Sequence, residues 1–386
     1  MSFKPLFSRS LSAAPGRLHL AAHSHHLWPD ASYDGQVACW EDAARLADAK
    51  WDRVMGEVWP EAQAHVASEL GTGMPDAVVF AANTHDFLIR LFAACPRSDP
   101  RRLRVLTSDG EFHSARRQLA RWQEDGWLEV ATVASGAEDF SARFLAAAGE
   151  GEYDLILVSQ LLFGTGRLFD HVEELGRLAQ PAGPWVVIDG YHSFMALESP
   201  FPASVAHRAF YLGGGYKYAM SGEGMGLMHC PPGFGERPPI TGWFAEFEDL
   251  SLPPGMVGYA KDGMRFMGAT FDPSALYRFN AVRGMLREEG LTTATISAHV
   301  AELQRELLGA VAATPLAGAQ LLNPLNGGPH ARFLAFRSPR AAEWQRWLRA
   351  QGCITDVRGD VLRVGLGLYN DRQDVAAFAR LAAELP

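Results

Sequence analysis

The sequence predicts an α/β fold, in which a mostly parallel central sheet is flanked by helices and followed by a smaller α+β domain. Between residues 76 and 214, short apolar runs alternate with amphipathic stretches of helical spacing, a pattern typical of βαβ units. After residue 275, two long helical stretches precede shorter strands and helices, which indicates a separate α+β unit. We therefore divide the chain into an N-terminal segment (1–20), a large α/β domain (21–274) and a small α+β domain (275–386).

The large domain contains six predicted strands, which are DAVVFAA, RRLRVLTS, WLEVATVA, DLILVS, WVVID and AFYLGG. The helices predicted between the first five strands are THDFLIRLFAAC, HSARRQLARWQEDG, the segment 139–148 and HVEELGRLAQ, and an earlier helical stretch covers residues 30–56. The strands are apolar over most of their length, as expected when helices cover both faces of a parallel sheet. In such sheets a ligand binds at the carboxyl ends of the strands.

The small domain begins with two long predicted helices, within FNAVRGMLREEG and ISAHVAELQRELLGAV. The segments that follow are a strand (ARFLAFRS), a helix (AAEWQRWLRAQG), two strands (CITDV and VLRVGLG) and a final helix (DVAAFARLAAEL).

Composition narrows the class of protein. The 386 residues are 48% hydrophobic and 20% charged, and the formal net charge is −9. An acidic chain without long runs of like charge is not expected to bind nucleic acid or an anionic membrane. Because no apolar run reaches membrane-spanning length and the N-terminus lacks a signal-peptide core, we expect a cytoplasmic protein. The four cysteines lie far apart without a Cys-x-x-Cys pair, which fits a reducing compartment.

A histidine cluster, His23, His25 and His26, lies near the N-terminus. A metal site would need carboxylates or cysteines at ligand spacing, and none follows. We therefore predict no metal, and expect this segment to be a surface turn or a loop that enters an active site.

Polar residues follow several predicted strands. Asn83 and Thr84 open a helix after the first strand, where the helix N-terminus can bind a phosphate, be capped by these side chains, or both. Phe112 follows the second strand and either covers a ring or belongs to the core. Asp189 follows four apolar residues and needs a cationic partner if it is buried, such as the pyridinium nitrogen of a cofactor. The alternative for Asp189 is a cap on the next helix.

The stretch Ala209 to Gly226, AFYLGGGYKYAMSGEGMG, carries one lysine in a glycine-rich turn. The glycines end the strand and force a tight turn. Lys217 lies between two tyrosines, where desolvation would lower its pKa and make the amine a nucleophile, although a solvated loop lysine is the commoner case. The first predicted strand and helix are not joined by G-x-G-x-x-G, and the sequence contains no Walker motif, so neither a dinucleotide site nor a P-loop is supported.

Six residues stand in an order shared with one family: Thr84, Phe112, Asp189, His192, Lys217 and Arg363. The sequence resembles pyridoxal-phosphate (PLP) enzymes of fold type I, in the class V aminotransferase group, and within that group it is most similar to kynureninases. The shared segments are Asp-x-x-His at 189–192, Tyr-Lys-Tyr at 216–218, Gly-Trp-Phe at 242–244, Thr165-Gly166 with Phe169-Asp170, and Arg363-Val364 with Leu368-Tyr369-Asn370. The resemblance spans residues 80 to 370.

The resemblance implies a PLP cofactor and a role for each residue. Lys217 forms a Schiff base and shuttles the α-proton, and Asp189 keeps the pyridine nitrogen protonated. Phe112 stacks on the ring, and Arg363 offers the substrate α-carboxylate two parallel hydrogen bonds, unless it is an ordinary strand-edge arginine. The other implied cofactor contacts are Asn83, Thr84, His192 and Tyr216 from the same chain, and Trp243 and Thr270 from the second subunit of a homodimer with shared active sites.

The implied reaction is a kynureninase-like hydrolysis of a Cβ–Cγ bond in an amino-acid substrate, with Tyr216 as the candidate proton donor. The alternatives are an aminotransferase or a cysteine desulfurase-type lyase acting on a different amino acid. A desulfurase needs a nucleophilic cysteine on a mobile loop shortly before Arg363, whereas Cys353 lies in a predicted strand and is expected to be a buried thiol. A regulatory cofactor-binding protein is disfavoured because the lysine is intact. The sequence departs from kynureninases at Phe163, Tyr191 and Phe271.

Overall fold

A computed structural model of the chain describes residues 2–99, 102–247 and 249–386. The first eight strands are β1 (Leu18–His19), β2 (Val78–Ala81), β3 (Leu103–Ser108), β4 (Leu128–Val133), β5 (Leu155–Ser159), β6 (Trp185–Asp189), β7 (Phe210–Gly214) and β8 (Gly226–His229). Strands β2 to β8 form a seven-stranded sheet in the order β2-β8-β7-β6-β5-β3-β4. Strand β8 is antiparallel to both neighbours, and the other six strands run in one direction. The predicted, mostly parallel sheet is confirmed.

Among the described residues, nine α-helices accompany this sheet. In chain order they are α1 (Ser8–Ser12), α2 (Asp30–Leu46), α3 (Lys50–Arg53), α4 (Trp59–Leu70), α5 (Thr84–Ala94), α6 (His113–Glu124), α7 (Phe140–Glu150), α8 (Val172–Arg177) and α9 (Ser274–Glu288). Of these, α5 to α8 connect strands of the sheet. A π-helical turn at Val54–Val58 joins α3 to α4. The apolar faces of these helices and both faces of the sheet form one core, as expected for a sheet that is covered on both sides.

The C-terminal part contains a second sheet. Its elements are α10 (Thr293–Ala310), β9 (Gln320–Leu321), β10 (Phe333–Arg337), α11 (Ala341–Ala350), β11 (Cys353–Ile354), β12 (Asp356–Arg358), β13 (Val361–Gly365) and α12 (Arg372–Ala383). Strands β12, β13, β10 and β9 form an antiparallel sheet in that order. A second apolar core, which runs from Val300 to Leu385 and includes Leu20, lies against it.

The N-terminal segment packs on this C-terminal part. Strand β1 pairs in parallel with β11, and Lys4 forms ion pairs with Asp371 and Asp374. The boundaries at residues 20 and 274 stay a prediction, and the chain around residue 20 contributes to both cores, Leu20 to the second and Ala22 to the first.

Two local predictions need correction. Strand β8 was not predicted, because its four residues follow a glycine-rich turn and are too short to show a strand pattern on their own. The segment CITDV is not one strand, because it divides at Thr355 into β11, which pairs with β1, and β12, which pairs with β13. Within the described residues, no helix combines the length and apolar character needed to cross a membrane.

Candidate active site

A cavity of about 540 Å³ opens at the carboxyl ends of the parallel strands. The cavity is lined by eight of the ten site residues that were predicted from the sequence: Asn83, Thr84, Phe112, Asp189, His192, Tyr216, Lys217 and Arg363. Its position is the one expected for a ligand site in an open α/β sheet. The fold therefore brings together residues that are up to 280 positions apart in the chain.

Lys217 lies in the turn after β7, with 9% of its surface exposed. Its Nζ donates a hydrogen bond to the carbonyl oxygen of His23 at 2.9 Å and shares another with Nε2 of His192 at 2.7 Å. Burial lowers the pKa of Lys217 well below its ordinary value, and the charges of Arg363 and Arg358 lower it further. The nearby Asp189 opposes this shift. These surroundings favour the neutral, nucleophilic form of the amine.

Asp189 ends β6 and is half-buried beside Lys217. Its Oδ1 accepts a hydrogen bond from the main-chain N–H of Tyr191 at 2.9 Å. Burial raises the pKa of Asp189, while the Tyr191 amide and the charge of Lys217 act in the opposite direction. A carboxylate with one main-chain donor at the wall of a cavity can still accept a hydrogen bond from a ligand cation.

His192 is buried next to these groups. Burial lowers its pKa well below the ordinary value, and the neighbouring charges of Lys217 and Arg363 add to the effect. Its Nδ1 is buried and has no hydrogen-bond partner among the described residues. These surroundings favour the neutral ring, whose Nε2 can exchange a hydrogen bond with the lysine amine.

The N-terminus of α5 forms another wall of the cavity. Asn83 caps the helix by accepting a hydrogen bond from the amide of Asp86 at 3.1 Å, and Thr84 is the first helical residue. Gly226 of β8 passes so close that a Cβ atom there would lie 2.4 Å from the carbonyl carbon of Asn83. The glycine thus allows the strand to support the helix N-terminus, where amide groups can bind a phosphate.

Aromatic rings cover part of the cavity. Phe112 packs edge-on against Phe163, with ring centroids 5.3 Å apart. The Tyr216 hydroxyl forms a 3.1 Å hydrogen bond with Nδ1 of His25. Tyr191, which lies two residues after Asp189, also lines the wall. The site therefore has flat apolar surfaces next to a few charged groups, the usual character of a small-molecule site.

Arg363 of β13 forms the opposite wall and is only 2% exposed. It donates to the carbonyl oxygen of Phe163 and forms an ion pair with Asp356, which lies directly across the hairpin. Burial lowers the pKa of Arg363 to about 10. Arg358 also lines this wall, because it lies two residues after Asp356 on β12 and residues two apart on a strand face the same side. Its Nε lies 3.4 Å from Asp356, so two arginines share one carboxylate.

Sequence reasoning did not single out Glu111, which lies just outside the cavity. It is fully buried and accepts hydrogen bonds from the Ser108 hydroxyl, the Ser159 amide and the Ser159 hydroxyl. Burial raises the pKa of Glu111 to about 7, and the charge of Asp189 contributes. Glu111 could have been found from the sequence because it directly precedes the predicted site residue Phe112. Arg358 could have been found because it lies two residues after Asp356 in the segment Asp-Val-Arg, so that both side chains face the same side of a strand.

Trp243 and Thr270 do not line this cavity. The indole N–H of Trp243 donates to the Thr270 hydroxyl at 3.3 Å, and 42% of the tryptophan is exposed. Their predicted contact with the cofactor of a second subunit stays a prediction.

The histidine cluster surrounds the lysine turn. His25 contacts Tyr216, whereas His23 and His26 are buried, and the ring nitrogens of His23 have no hydrogen-bond partner among the described residues. In the part of the chain that the structure describes, no three His, Cys, Asp or Glu side chains are arranged to hold a metal ion.

Comparison with known proteins places this geometry in context. No protein-family model matches the chain. Isopenicillin N epimerase of Streptomyces clavuligerus is 26% identical over 314 residues, which cover 71% of this chain and 72% of the epimerase. A cysteine desulfurase from Thermococcus onnurineus NA1, solved in its apo form, superposes with a TM-score of 0.82 at 16% identity, covering 100% of this chain and 98% of the desulfurase.

A second solved structure is the cystine C–S lyase C-DES in complex with its product cysteine persulfide. It has a TM-score of 0.79 at 16% identity, covering 96% of this chain and 99% of the lyase. A related structure of C-DES carries glycine covalently linked to its PLP cofactor. The chain has the fold of these fold type I enzymes, and so the fold implied by the resemblance to the class V group is confirmed, whereas the closer similarity to kynureninases is not.

The residues of the cavity fit PLP. A buried amine with a lowered pKa, a carboxylate at a strand end, an exposed aromatic ring and a helix N-terminus are four features that suit a pyridine aldehyde with a phosphate.

Proposed function

We propose that this chain is a PLP-dependent enzyme that acts on an amino acid and cleaves a bond at the β-carbon, as C–S lyases do. The observation that carries the proposal is the buried amine of Lys217, hydrogen-bonded to His23 and His192 in the same cavity as Asp189. When bound, PLP would supply a sink for the electron pair released at the α-carbon.

The residues that would hold the cofactor surround this amine. Asp189 would keep a proton on the pyridine nitrogen, and Phe112 would cover one face of the ring. The N-terminus of α5 at Asn83 and Thr84 would bind the phosphate through its main-chain amides.

The remaining groups would act on the substrate. Because its surroundings favour the neutral amine, Nζ of Lys217 would accept the α-proton, and His192 is positioned to share that proton through their 2.7 Å hydrogen bond. Arg363 would orient the α-carboxylate, and its contacts with Phe163 and Asp356 fix the guanidinium before substrate arrives.

A direct lyase is favoured over transfer of sulfur to an enzyme thiol. Within the described part of the chain, no cysteine lines the cavity. Cys353 is buried in β11, and burial raises its pKa to about 12. With cysteine as substrate, the C–S bond would break, the sulfur would leave with the bonding electron pair, and water would complete conversion to hydrogen sulfide, pyruvate and ammonia.

The kynureninase-like hydrolase is not favoured. The solved structures described above are a cysteine desulfurase and a C–S lyase, which agrees better with the lyase alternative. Phe163, one of the positions that differ from kynureninases, lines the cavity with an apolar ring, so it cannot form a hydrogen bond with a polar substrate side chain.

Epimerisation at the α-carbon is the second candidate, because a 314-residue segment is 26% identical to isopenicillin N epimerase. That reaction would return the α-proton to the opposite face and break no bond to the β-carbon. The two candidates therefore give different products from the same substrate.

A substrate panel tests the proposal. PLP-loaded protein is incubated with cysteine, cystine, kynurenine and alanine, and sulfide, pyruvate, anthranilate and D-amino acid are measured. We expect sulfide or persulfide with pyruvate, which Lys217→Ala abolishes and Cys353→Ala leaves unchanged. Loss of activity in Cys353→Ala would indicate a desulfurase, and D-amino acid without pyruvate would indicate an epimerase.

The proposal includes a homodimer with shared active sites. Trp243 is exposed, and Leu250, Leu252, Met256 and Val257 are exposed apolar residues of the same loop region. An apolar exposed loop next to the Trp243–Thr270 pair supports contact with a second copy of the chain.

A further inference from the structure

A second cavity, of about 490 Å³, lies between the loop after β6, helix α10 and the segment that precedes β10. It shares no lining residue with the active-site cavity. We call it the α10 groove. One wall consists of Ala294, Ala298 and Ala301, which lie on one face of α10 because residues four and three positions apart share a helix face. The small side chains leave the space open.

The floor of the α10 groove contains Arg332, which is 3% exposed. Its Nη2 donates to the carbonyl oxygen of Thr293 at 3.3 Å and to the hydroxyl of Ser297 at 2.9 Å. Its Nε is buried without a hydrogen-bond partner. The guanidinium lies 5.2 Å from the centroid of the Tyr218 ring. Among the described residues, no carboxylate forms an ion pair with Arg332.

Burial of an arginine without a directly paired carboxylate is costly, and Glu69, whose charge favours the protonated guanidinium of Arg332, forms no ion pair with it. The pKa of Arg332 shows the same effect, because burial lowers it to about 10. Elsewhere in this protein, the buried Arg363 has Asp356 as its counter-ion. The buried Arg278, which forms no ion pair among the described residues, donates hydrogen bonds through Nε, Nη1 and Nη2. Among the described residues only Nη2 of Arg332 has hydrogen-bond acceptors, and Arg332 lines the α10 groove, so an anion that enters the groove can pair with the guanidinium.

The other groups of the α10 groove limit the kind of anion. Both ring nitrogens of His330 already face main-chain carbonyl oxygens, and the Gln304 amide nitrogen donates to Ala331. Glu198, the carboxylate on the rim, is exposed and would repel a highly charged ligand. One buried cation and an apolar alanine wall suit a single carboxylate with a short hydrocarbon tail better than a phosphate.

We propose that the α10 groove is a binding site for a small organic monocarboxylate. The carboxylate pairs with Arg332, and the hydrocarbon tail lies along Ala294, Ala298 and Ala301. This site is separate from the active site and does not depend on the reaction proposed above.

Calorimetric titration of the purified PLP-loaded protein with hexanoate tests this proposal. Because Arg363 of the active site can also bind a carboxylate, the titration is performed on Arg363→Gln as well as on the wild type. We expect Arg363→Gln to retain one hexanoate site. In the double variant Arg363→Gln/Arg332→Met, affinity at that site should fall at least roughly tenfold, since a charge-assisted pair is lost.

Two controls make the result specific. Hexanamide, which has the same tail and no charge, should not bind. Arg337→Met, a change to an exposed arginine of β10 outside the α10 groove, should leave affinity unchanged.

A second variant, Ala298→Trp combined with Arg363→Gln, should fill the α10 groove and prevent binding while Arg332 remains. It preserves the test if Arg332→Met does not fold. Hexanoate affinity that neither Arg332→Met nor Ala298→Trp reduces would overturn the proposal.

Discussion

Lys217 shows how surroundings decide the chemistry of one side chain. An exposed lysine is protonated at neutral pH and cannot act as a nucleophile or base. Here burial and two nearby arginines favour the neutral amine, and His192 and the His23 carbonyl fix its position. The sequence indicated this possibility through the glycines and tyrosines around the lysine. It gave no sign that the carbonyl of His23, 194 residues earlier, would accept its hydrogen bond.

The role of Arg363 is tested by Arg363→Lys. We expect the KM for the amino-acid substrate to rise by roughly one to two orders of magnitude, because a lysine cannot form two parallel hydrogen bonds to a carboxylate. The matched control is Arg337→Lys on β10, which should leave KM unchanged. An unaltered KM in Arg363→Lys would mean that another group, such as Arg358, binds the α-carboxylate.

The buried carboxyl group of Glu111 predicts a pH dependence of stability. Its pKa is raised from 4.5 to about 7 in the folded protein, so the folded state retains a proton that the unfolded state loses between these values. Its contribution to stability therefore falls as pH rises from about 4.5 to 7, by on the order of 3 kcal/mol. Glu111→Gln cannot ionise and should lack this decline.

Urea unfolding at pH 5.5, 6.5 and 7.5 measures the effect. The free energy of unfolding of Glu111→Gln minus that of the wild type should increase with pH, and the exposed control Glu150→Gln should show no such trend. A difference that is constant across this range would contradict the assignment. Asp189, whose pKa is also raised, is present in both proteins and so largely cancels in the comparison.

At the scale of elements, the parallel strands were predictable because most of them are largely apolar runs between helical stretches. Their carboxyl ends place Asp189 and the Lys217 turn next to the N-terminus of α5, as the general rule for such sheets predicts. The antiparallel β8 was not predictable from its four residues, and neither was the division of CITDV at Thr355. Both depend on partner strands that are distant in sequence, β2 for one and β1 for the other. The contacts of Glu111 with Ser159 and the place of Arg358 in the cavity wall were not predicted, because they also depend on neighbouring strands that the sequence pattern does not identify.

Support of the α5 N-terminus by β8 is tested by Gly226→Ala. A Cβ atom at position 226 would lie 2.4 Å from the carbonyl carbon of Asn83 and 2.8 Å from the main-chain nitrogen of Thr84, so the N-terminus of α5 would have to move. We expect weaker PLP binding and a stability loss of about 1–3 kcal/mol. Gly284→Ala is the matched control, because a Cβ atom there has no neighbour within 4 Å and α9 should gain stability. Equal PLP affinity in the two variants would refute the role of Gly226.

At the scale of the whole molecule, the described residues form two large apolar cores and a third, smaller one, and the active site takes residues from both sheets. Residues of the large sheet supply the lysine, Asp189 and the α5 N-terminus, and the antiparallel sheet supplies Arg363. Trp243 and Thr270 form a pair outside the site of their own chain. If they complete the site of a second copy, neither site is whole in a monomer.

Complementation tests the shared site. Lys217→Ala chains and Trp243→Ala chains, each of low activity alone, are refolded together. Some mixed dimers should contain one site with both residues intact, so that activity exceeds that of either variant refolded by itself. A fully active monomer in sedimentation experiments would exclude Trp243 and Thr270 from the cofactor site.

The most direct measurement of the central claim is borohydride reduction of the PLP-loaded protein followed by peptide mapping. The sequence contains only four lysines, Lys4, Lys50, Lys217 and Lys261, so the attachment site can be assigned without ambiguity. We predict a yellow protein whose visible absorption band is bleached by reduction, with the reduced cofactor attached to Lys217 and absent in Lys217→Ala. Attachment to another lysine, or no attachment after incubation with PLP, would contradict the account.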